Sequence, residues 1–206
     1  MAKWISPAGA VAMLSNDPAG GDEDFGFSTL KLDGRKQRNS VLDLARAKLQ
    51  PREPTAAEAA ASSLPVTARD YRLVLAPLVP DTGDIGQLYS SYDAKAPERL
   101  TVLAAVLTMK FDRDALVHDM MSAVSTYAEM ILARQRRLSS LVVMHMPSDG
   151  MSGRAPHIHV LCATRVHRPA GFCEVHPVFE GEMTTVHATF RDEWRAFKAR
   201  WDSIPE

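Results

Sequence analysis

Two imidazoles set among aliphatic neighbours constrain this chain more than any other feature. The run Pro156-His157-Ile158-His159-Val160 suits a β-strand, in which successive side chains take opposite faces. His157 and His159 then share one face, while Ile158 and Val160 point the other way into a core. A second apolar run, Val142-Val143-Met144-His145, ends in a third histidine. Two strands joined by a loop of about ten residues are antiparallel neighbours by default. If they pair, His145 comes beside His157 or His159, with cross-strand Cβ atoms about 4.5 to 5.5 Å apart. Two imidazoles suit a divalent ion, and a third completes a ligand set. The spacing therefore points to a three-histidine divalent-metal site on adjacent strands. His118, His167, His176 and His187 have no comparable partners in the sequence.

The rest of the chain can supply a core around such a site. It has 206 residues, of which 46% are apolar and 24% charged, a balance that suits a globular domain rather than a disordered chain. Lys and Arg (24) nearly cancel Asp and Glu (25), so composition does not demand a nucleic-acid partner, which a strongly basic chain would suggest. Cys162 and Cys173 are too few for a disulfide framework and match no zinc-ribbon spacing. No window approaches the ~18 to 20 apolar residues of a membrane span, and the first residues lack a signal-peptide layout. The expectation is a cytoplasmic protein with no membrane partner.

Residues 1–68 read as a partly irregular N-terminal arm. Within it, Asn16 to Asp22 is loop chemistry, Phe25 to Leu32 could be a strand, Val41 to Leu49 a short helix, and Thr55-Ala56-Ala57-Glu58 resembles a capping box. No chemistry is evident there. Residues 69–206 read as the domain proper. Tyr71 to Ala76 is a strand ending at Pro77. Leu100 to Met109 is a second apolar run, either a strand or a buried helix starting at Pro97, which periodicity alone does not separate. Asp112 to Arg136 is a helix, with Val117, Met120, Val124, Ala128 and Ile131 on one face. Leu138 to Met146 and Pro156 to Arg165 are strands. A last helix from about Thr189 to Asp202 carries Phe190, Trp194, Phe197 and Trp201 on one side. The fold class is α+β: an antiparallel sheet with helices on one side and the histidines on central strands.

Over roughly residues 100–201 these elements resemble the plasmid mobilisation relaxases of the MobA/MobL type, members of the HUH endonuclease class. The resemblance lies in their order. The apolar run Leu100 to Leu107 is followed by a helix with Asp114-Ala115-Leu116-Val117, then by the strand ending at His145. A glycine-bearing loop leads to Ala155-Pro156-His157-Ile158-His159-Val160-Leu161, then Ala163-Thr164-Arg165 and Gly171-Phe172, and the late helix holds Arg191 to Phe197.

The resemblance implies that His145, His157 and His159 hold Mg²⁺ or Mn²⁺, which polarises a scissile phosphate. It implies single-stranded DNA at a transfer origin as partner, with accessory mobilisation proteins. It also implies a nucleophilic tyrosine that ends up covalently bonded to a DNA 5′ end. In that family the tyrosine follows the first strand. Here no tyrosine precedes Tyr71, so with Tyr71 to Ala76 as first strand the candidates are Tyr89 and Tyr92. Arg154, Arg165 and Arg168 flank the histidines as candidate phosphate contacts. The leading reading is a metal-dependent single-strand nickase working by tyrosine transesterification. Two others stay open: a relaxase-like domain that binds DNA or a partner protein without cutting, and an unrelated three-histidine metalloenzyme with an acidic base such as Asp149.

Overall fold

The apolar runs sort into strands and helices according to whether one or both faces can be buried. The computed structural model describes residues 3–15, 22–33, 38–81, 83–149 and 155–204. In chain order the elements are α1 (Pro7–Ala12), β1 (Phe25–Lys31), α2 (Val41–Leu49), α3 (Ala56–Ala61), β2 (Asp70–Val74), α4 (Ile85–Ala94), β3 (Val102–Lys110), α5 (Val117–Tyr127), β4 (Ser140–His145), β5 (His157–Ala163), β6 (Arg165–Arg168), β7 (Gly171–Val175) and α6 (Met183–Trp201). A π-helical stretch, Ala128–Gln135, continues α5. Five strands form an antiparallel sheet in the order β1-β3-β5-β4-β2. The architecture implied by the resemblance, α+β with helices packed on an antiparallel sheet, is the one the chain adopts.

The central strand β5 is buried at all seven positions, which is why its sequence is apolar on both faces apart from the two histidines. Ile158, Val160 and Cys162 face a core built with α5 and α6. Leu161 and Ala163 face a second core with α2 and α4. Helices thus cover both faces, not one as the sequence suggested. The covering helix α2 comes from the segment read as an arm, and its apolar positions close over the sheet. From the same segment, β1 pairs with β3 at the sheet edge, and Thr55 and Glu58 close the anticipated capping box of α3. The loop expected at 16–22 falls largely outside the described residues.

Several boundaries differ from the sequence reading. The run from Leu100 is strand β3 rather than a helix from Pro97, because both of its faces are covered and it pairs on both sides. Helix α5 begins at Val117, not Asp112, and Leu116 caps it without a side-chain bond. Helix α6 starts at Met183, six residues before Thr189, since Val186 and His187 extend its buried face towards the N-terminus. The strand expected to run to Arg165 stops at Ala163. There the Thr164 hydroxyl turns to the carbonyls of Val102 (2.7 Å) and Leu103 (3.1 Å), and the chain enters the β6–β7 hairpin, whose turn needs Gly171 at φ 115°.

Helix α2 is anchored at its N-terminus. Ser40 Oγ accepts from Asp43 N (3.0 Å) and donates to the Asp93 carboxylate on α4 (2.7 Å), which also accepts from Val41 N (2.9 Å) and Leu42 N (3.1 Å). An acceptor with full charge suits the positive end of a helix. Removing it in Asp93→Ala is expected to destabilise the fold by about 2 kcal/mol, the sum expected for a lost cap and charge-assisted bonds. A shift of the urea midpoint at unchanged slope checks this.

At the far end of the sheet His167 stacks on Phe172 (3.8 Å between centroids), and its Nδ1 meets Ser139 Oγ at 2.8 Å. Burial pulls its pKa down from 6.5 to about 4. The unfolded chain takes up this proton first as pH falls, so this contribution to stability is whole above about pH 6.5 and is lost towards pH 4. Urea midpoints are expected to fall across that interval, and to fall less in His167→Gln.

Candidate metal centre

Strand register assembles the site. In the β4–β5 ladder His145 stands directly opposite His157, and on the other side of β5 Thr108 and Lys110 of β3 stand opposite His159 and His157. All three imidazoles point to the α2 side of the sheet. Their ring centroids lie 4.9 to 5.3 Å apart with planes nearly perpendicular, and one nitrogen from each lies within 4.8 Å of the others. The rings are 3, 6 and 8% exposed for His145, His157 and His159. Such a group could hold a metal ion.

The bonds around the rings fix which nitrogens face inward. His145 Nε2 lies 2.7 Å from the Lys48 carbonyl and His157 Nδ1 lies 2.9 Å from the Ala155 carbonyl. A carbonyl only accepts, so each of these nitrogens is an N–H donor, and in the neutral form of each ring the opposite nitrogen would carry the lone pair. His159 Nε2 accepts from the Lys48 ammonium at 3.3 Å, which leaves Nδ1–H to donate to Thr108 Oγ1 at 2.9 Å. Outer partners of this kind hold metal-binding imidazoles in one tautomer and orientation. Three neutral imidazoles fit a divalent ion. The Lys48 ammonium, however, already stands on one of the lone pairs, so an ion and this ammonium contend for His159.

Lys48 was not legible as a site residue, yet its signal was present. Val41, Leu44, Ala45 and Leu49 form the buried stripe of α2. Lys48 sits within that stripe, one turn beyond Leu44, and is only 6% exposed. A lysine on the apolar face of a helix needs a polar destination.

Beside the histidines lies a cavity of about 450 Å³ between α1, β1, β3 and α2. Pro7, Ala10, Val11 and Leu14 give it an apolar wall; Thr108, the histidines, Lys48 and Lys110 give it a polar, cationic end. No Asp or Glu is among the described residues that line it.

The structure does not bring Tyr89 or Tyr92 to this place. The first strand is β1, not the Tyr71 segment, and no tyrosine follows β1 before Tyr71. Tyr89 and Tyr92 lie on α4, 1 and 0% exposed. The Tyr92 hydroxyl donates to the Leu103 carbonyl (2.7 Å) and meets Thr164 Oγ1 (3.3 Å). Thr164 is five residues beyond His159, about 16 Å along the strand. Burial pushes the Tyr92 phenol up to about 12 and Tyr89 higher still, which opposes formation of a phenolate. Tyr127 is also buried, within the α5–α6 core. Tyr71, on edge strand β2, is 43% exposed.

Of the flanking arginines, Arg165 is buried and spends its guanidinium on the carbonyls of Cys173, Lys95 and Phe172 (2.7 to 3.0 Å). Arg168 pairs with Glu174 at 2.9 Å. Both serve the β6–β7 hairpin instead of a phosphate, and Arg154 lies outside the described residues. The other histidines stand apart: His187 stacks between Phe25 and Phe27, His176 Nδ1 accepts from Val178 N, and His118 is exposed.

No protein-family model matches this chain, and neither does any curated protein. Among solved structures it is similar to one described as the molecular basis of vancomycin resistance transfer in Staphylococcus aureus, at 14% identity and a TM-score of 0.51, covering 65% of this chain and 69% of that one. At that identity the likeness concerns the fold. No helix among the described residues is long and apolar enough to cross a membrane.

Calorimetric titration of the metal-stripped protein with Mn²⁺ is expected to show one site per chain. Thr108→Val, which loosens His159, is expected to weaken it about tenfold, and His157→Ala by about a hundredfold or more, since outer partners alone contribute about 10- to 100-fold.

Proposed function

We propose that this chain is a relaxase-like protein of DNA mobilisation that takes a phosphodiester of single-stranded DNA onto a divalent ion, Mg²⁺ or Mn²⁺, held by His145, His157 and His159. The observation that carries this reading is that one nitrogen from each of three buried imidazoles lies within 4.8 Å of the others at the cationic end of a cavity. An ion bound by neutral ligands keeps its full charge, and a phosphodiester is a fitting anion for it. When bound, the ion supplies Lewis-acid polarisation of a phosphoryl oxygen. The protein's part is orientation: Thr108 and the Lys48 and Ala155 carbonyls hold the rings, and the apolar wall keeps one side of the site dry. The shared fold with a structure concerned with resistance transfer accords with this reading, because resistance passes between cells as DNA. The reading as a three-histidine hydrolase turns on an acidic base such as Asp149, whose side chain lies outside the described residues.

As a nickase working by tyrosine transesterification, the protein would form a bond from a tyrosine oxygen to the scissile phosphorus while the 3′-oxygen of the strand leaves as a hydroxyl. The second reading, a relaxase-like domain that binds the strand without covalent transfer, is favoured by one observation: Tyr89 and Tyr92 are buried at the other end of the strands. A cytoplasmic site at a transfer origin, with accessory mobilisation proteins, suits either reading.

A labelled single-stranded oligonucleotide incubated with the protein and Mn²⁺, then run on native and denaturing gels, tests these readings. We expect binding that His157→Ala abolishes and no adduct that depends on Tyr89 or Tyr92. Nicked product would establish the nickase, and an intact bound strand the second reading. Failure to bind in the presence of the ion would overturn both.

A further inference from the structure

Lys48 is placed as no ordinary surface lysine is. Its backbone carbonyl holds His145, while its ammonium, at the end of the same residue's side chain, reaches His159. Helix α2 is tied to α4 through Asp93, so the stem starts from a fixed point. The side chain borders the cavity, with Lys110 on the strand opposite His157 at the same polar end.

We propose that Lys48 is a substrate-contacting residue whose ammonium binds a phosphate oxygen of the single strand engaged at the three histidines. The inference rests on the reading of those histidines as an ion site for a DNA strand. Its physical basis is charge. An ion on the histidines and the Lys48 ammonium would stand within a few ångströms of each other in a low-dielectric cavity. Two cations at that distance repel strongly unless an anion lies between them. The described lining supplies no carboxylate, and the anion assigned to that place is a phosphate of the ligand. A lysine has a flexible four-carbon stem, which lets the ammonium turn from His159 Nε2 to an oxygen in the cavity while α2 stays in place. The ammonium is thereby a built-in place-holder: it satisfies the His159 lone pair when no ion is there and meets phosphate when one is. The apolar wall of Pro7, Ala10, Val11 and Leu14 offers the adjoining sugar or base a dry surface, and a cavity of about 450 Å³ lies in the range of small-ligand sites.

The test is fluorescence anisotropy with a labelled oligothymidylate in Mn²⁺ over a series of salt concentrations. It compares the parent with Lys48→Met and Lys48→Arg, alongside a Mn²⁺ titration of each. Lys48→Met is expected to bind the oligonucleotide about tenfold more weakly or worse, as for loss of a hydrogen bond to a charged group. Its slope of log affinity against log salt should be shallower by about 0.7 to 1, one phosphate contact fewer. Lys48→Arg should keep the slope. Mn²⁺ affinity in Lys48→Met should be unchanged or higher, because nothing then contends for His159. Oligonucleotide affinity and salt slope unchanged in Lys48→Met would overturn the proposal and leave Lys48 a structural cation. Should that variant not melt cooperatively, Lys48→Gln repeats the slope measurement with a neutral hydrogen-bonding side chain. A parent that binds Mn²⁺ or the oligonucleotide not at all overturns the underlying reading of the site, a result separable from the behaviour of Lys48.

Discussion

The antiparallel pairing of β4 with β5 is the constraint on which the site depends. Its register sets His145 opposite His157 and Val143 opposite His159. Because side chains alternate with period two, a slip of one residue would send His157 and His159 to the α5–α6 face and bring Ile158 and Val160 to the cavity. That slip is opposed along the whole strand, since it would also remove Ile158, Val160 and Cys162 from a packed core. Hydrophobic burial on one face therefore holds the geometry of polar groups on the other. The three-histidine cluster is precise because it is a by-product of a sheet that has no other way to bury itself.

Around that sheet the chain spends its polar groups on orientation. Each imidazole has its outer nitrogen engaged by a carbonyl or hydroxyl, and two of those partners lie on the neighbouring elements β3 and α2. Buried polar groups left without partners are costly, so the rings, Thr108 and Lys48 form one mutually satisfying group. Lys48 links the group to the helix layer, and Asp93 links that helix to α4. The far end of the sheet is built differently. Tyr92, Thr164, Arg165 and His167 are committed to backbone carbonyls, hydroxyls and ring stacking, an arrangement that closes a hairpin. Two regions rich in titratable side chains thus differ in kind, one opening into a cavity and the other consumed in packing.

The sequence by itself determined that three histidines share one face of adjacent strands, and the class of the fold. Alternation within Pro156 to Val160 assigned His157 and His159 to one face, a short connection to the strand ending at His145 implied an antiparallel partner, and apolar runs separated by polar breaks implied an α+β sheet. These are local or nearest-neighbour inferences, and local periodicity suffices for them. Only the tertiary structure decided which segments close over the sheet. That the segment before residue 69 supplies β1 and α2 depends on distant pairings such as Phe27 with Leu107, 80 residues apart, and Lys48 with His159, 111 apart, and nothing local marks such partners. The same long-range placement set the tyrosines apart from the histidines. From sequence, Tyr89 and Tyr92 followed the first recognisable strand. In the fold that strand is β2 at an edge, and the helix carrying them turns its aromatic face into the core. Lys48 lay between the two cases: its place in the apolar stripe of α2 was visible along the chain, but the imidazole that receives it comes from a strand that only folding brings within reach.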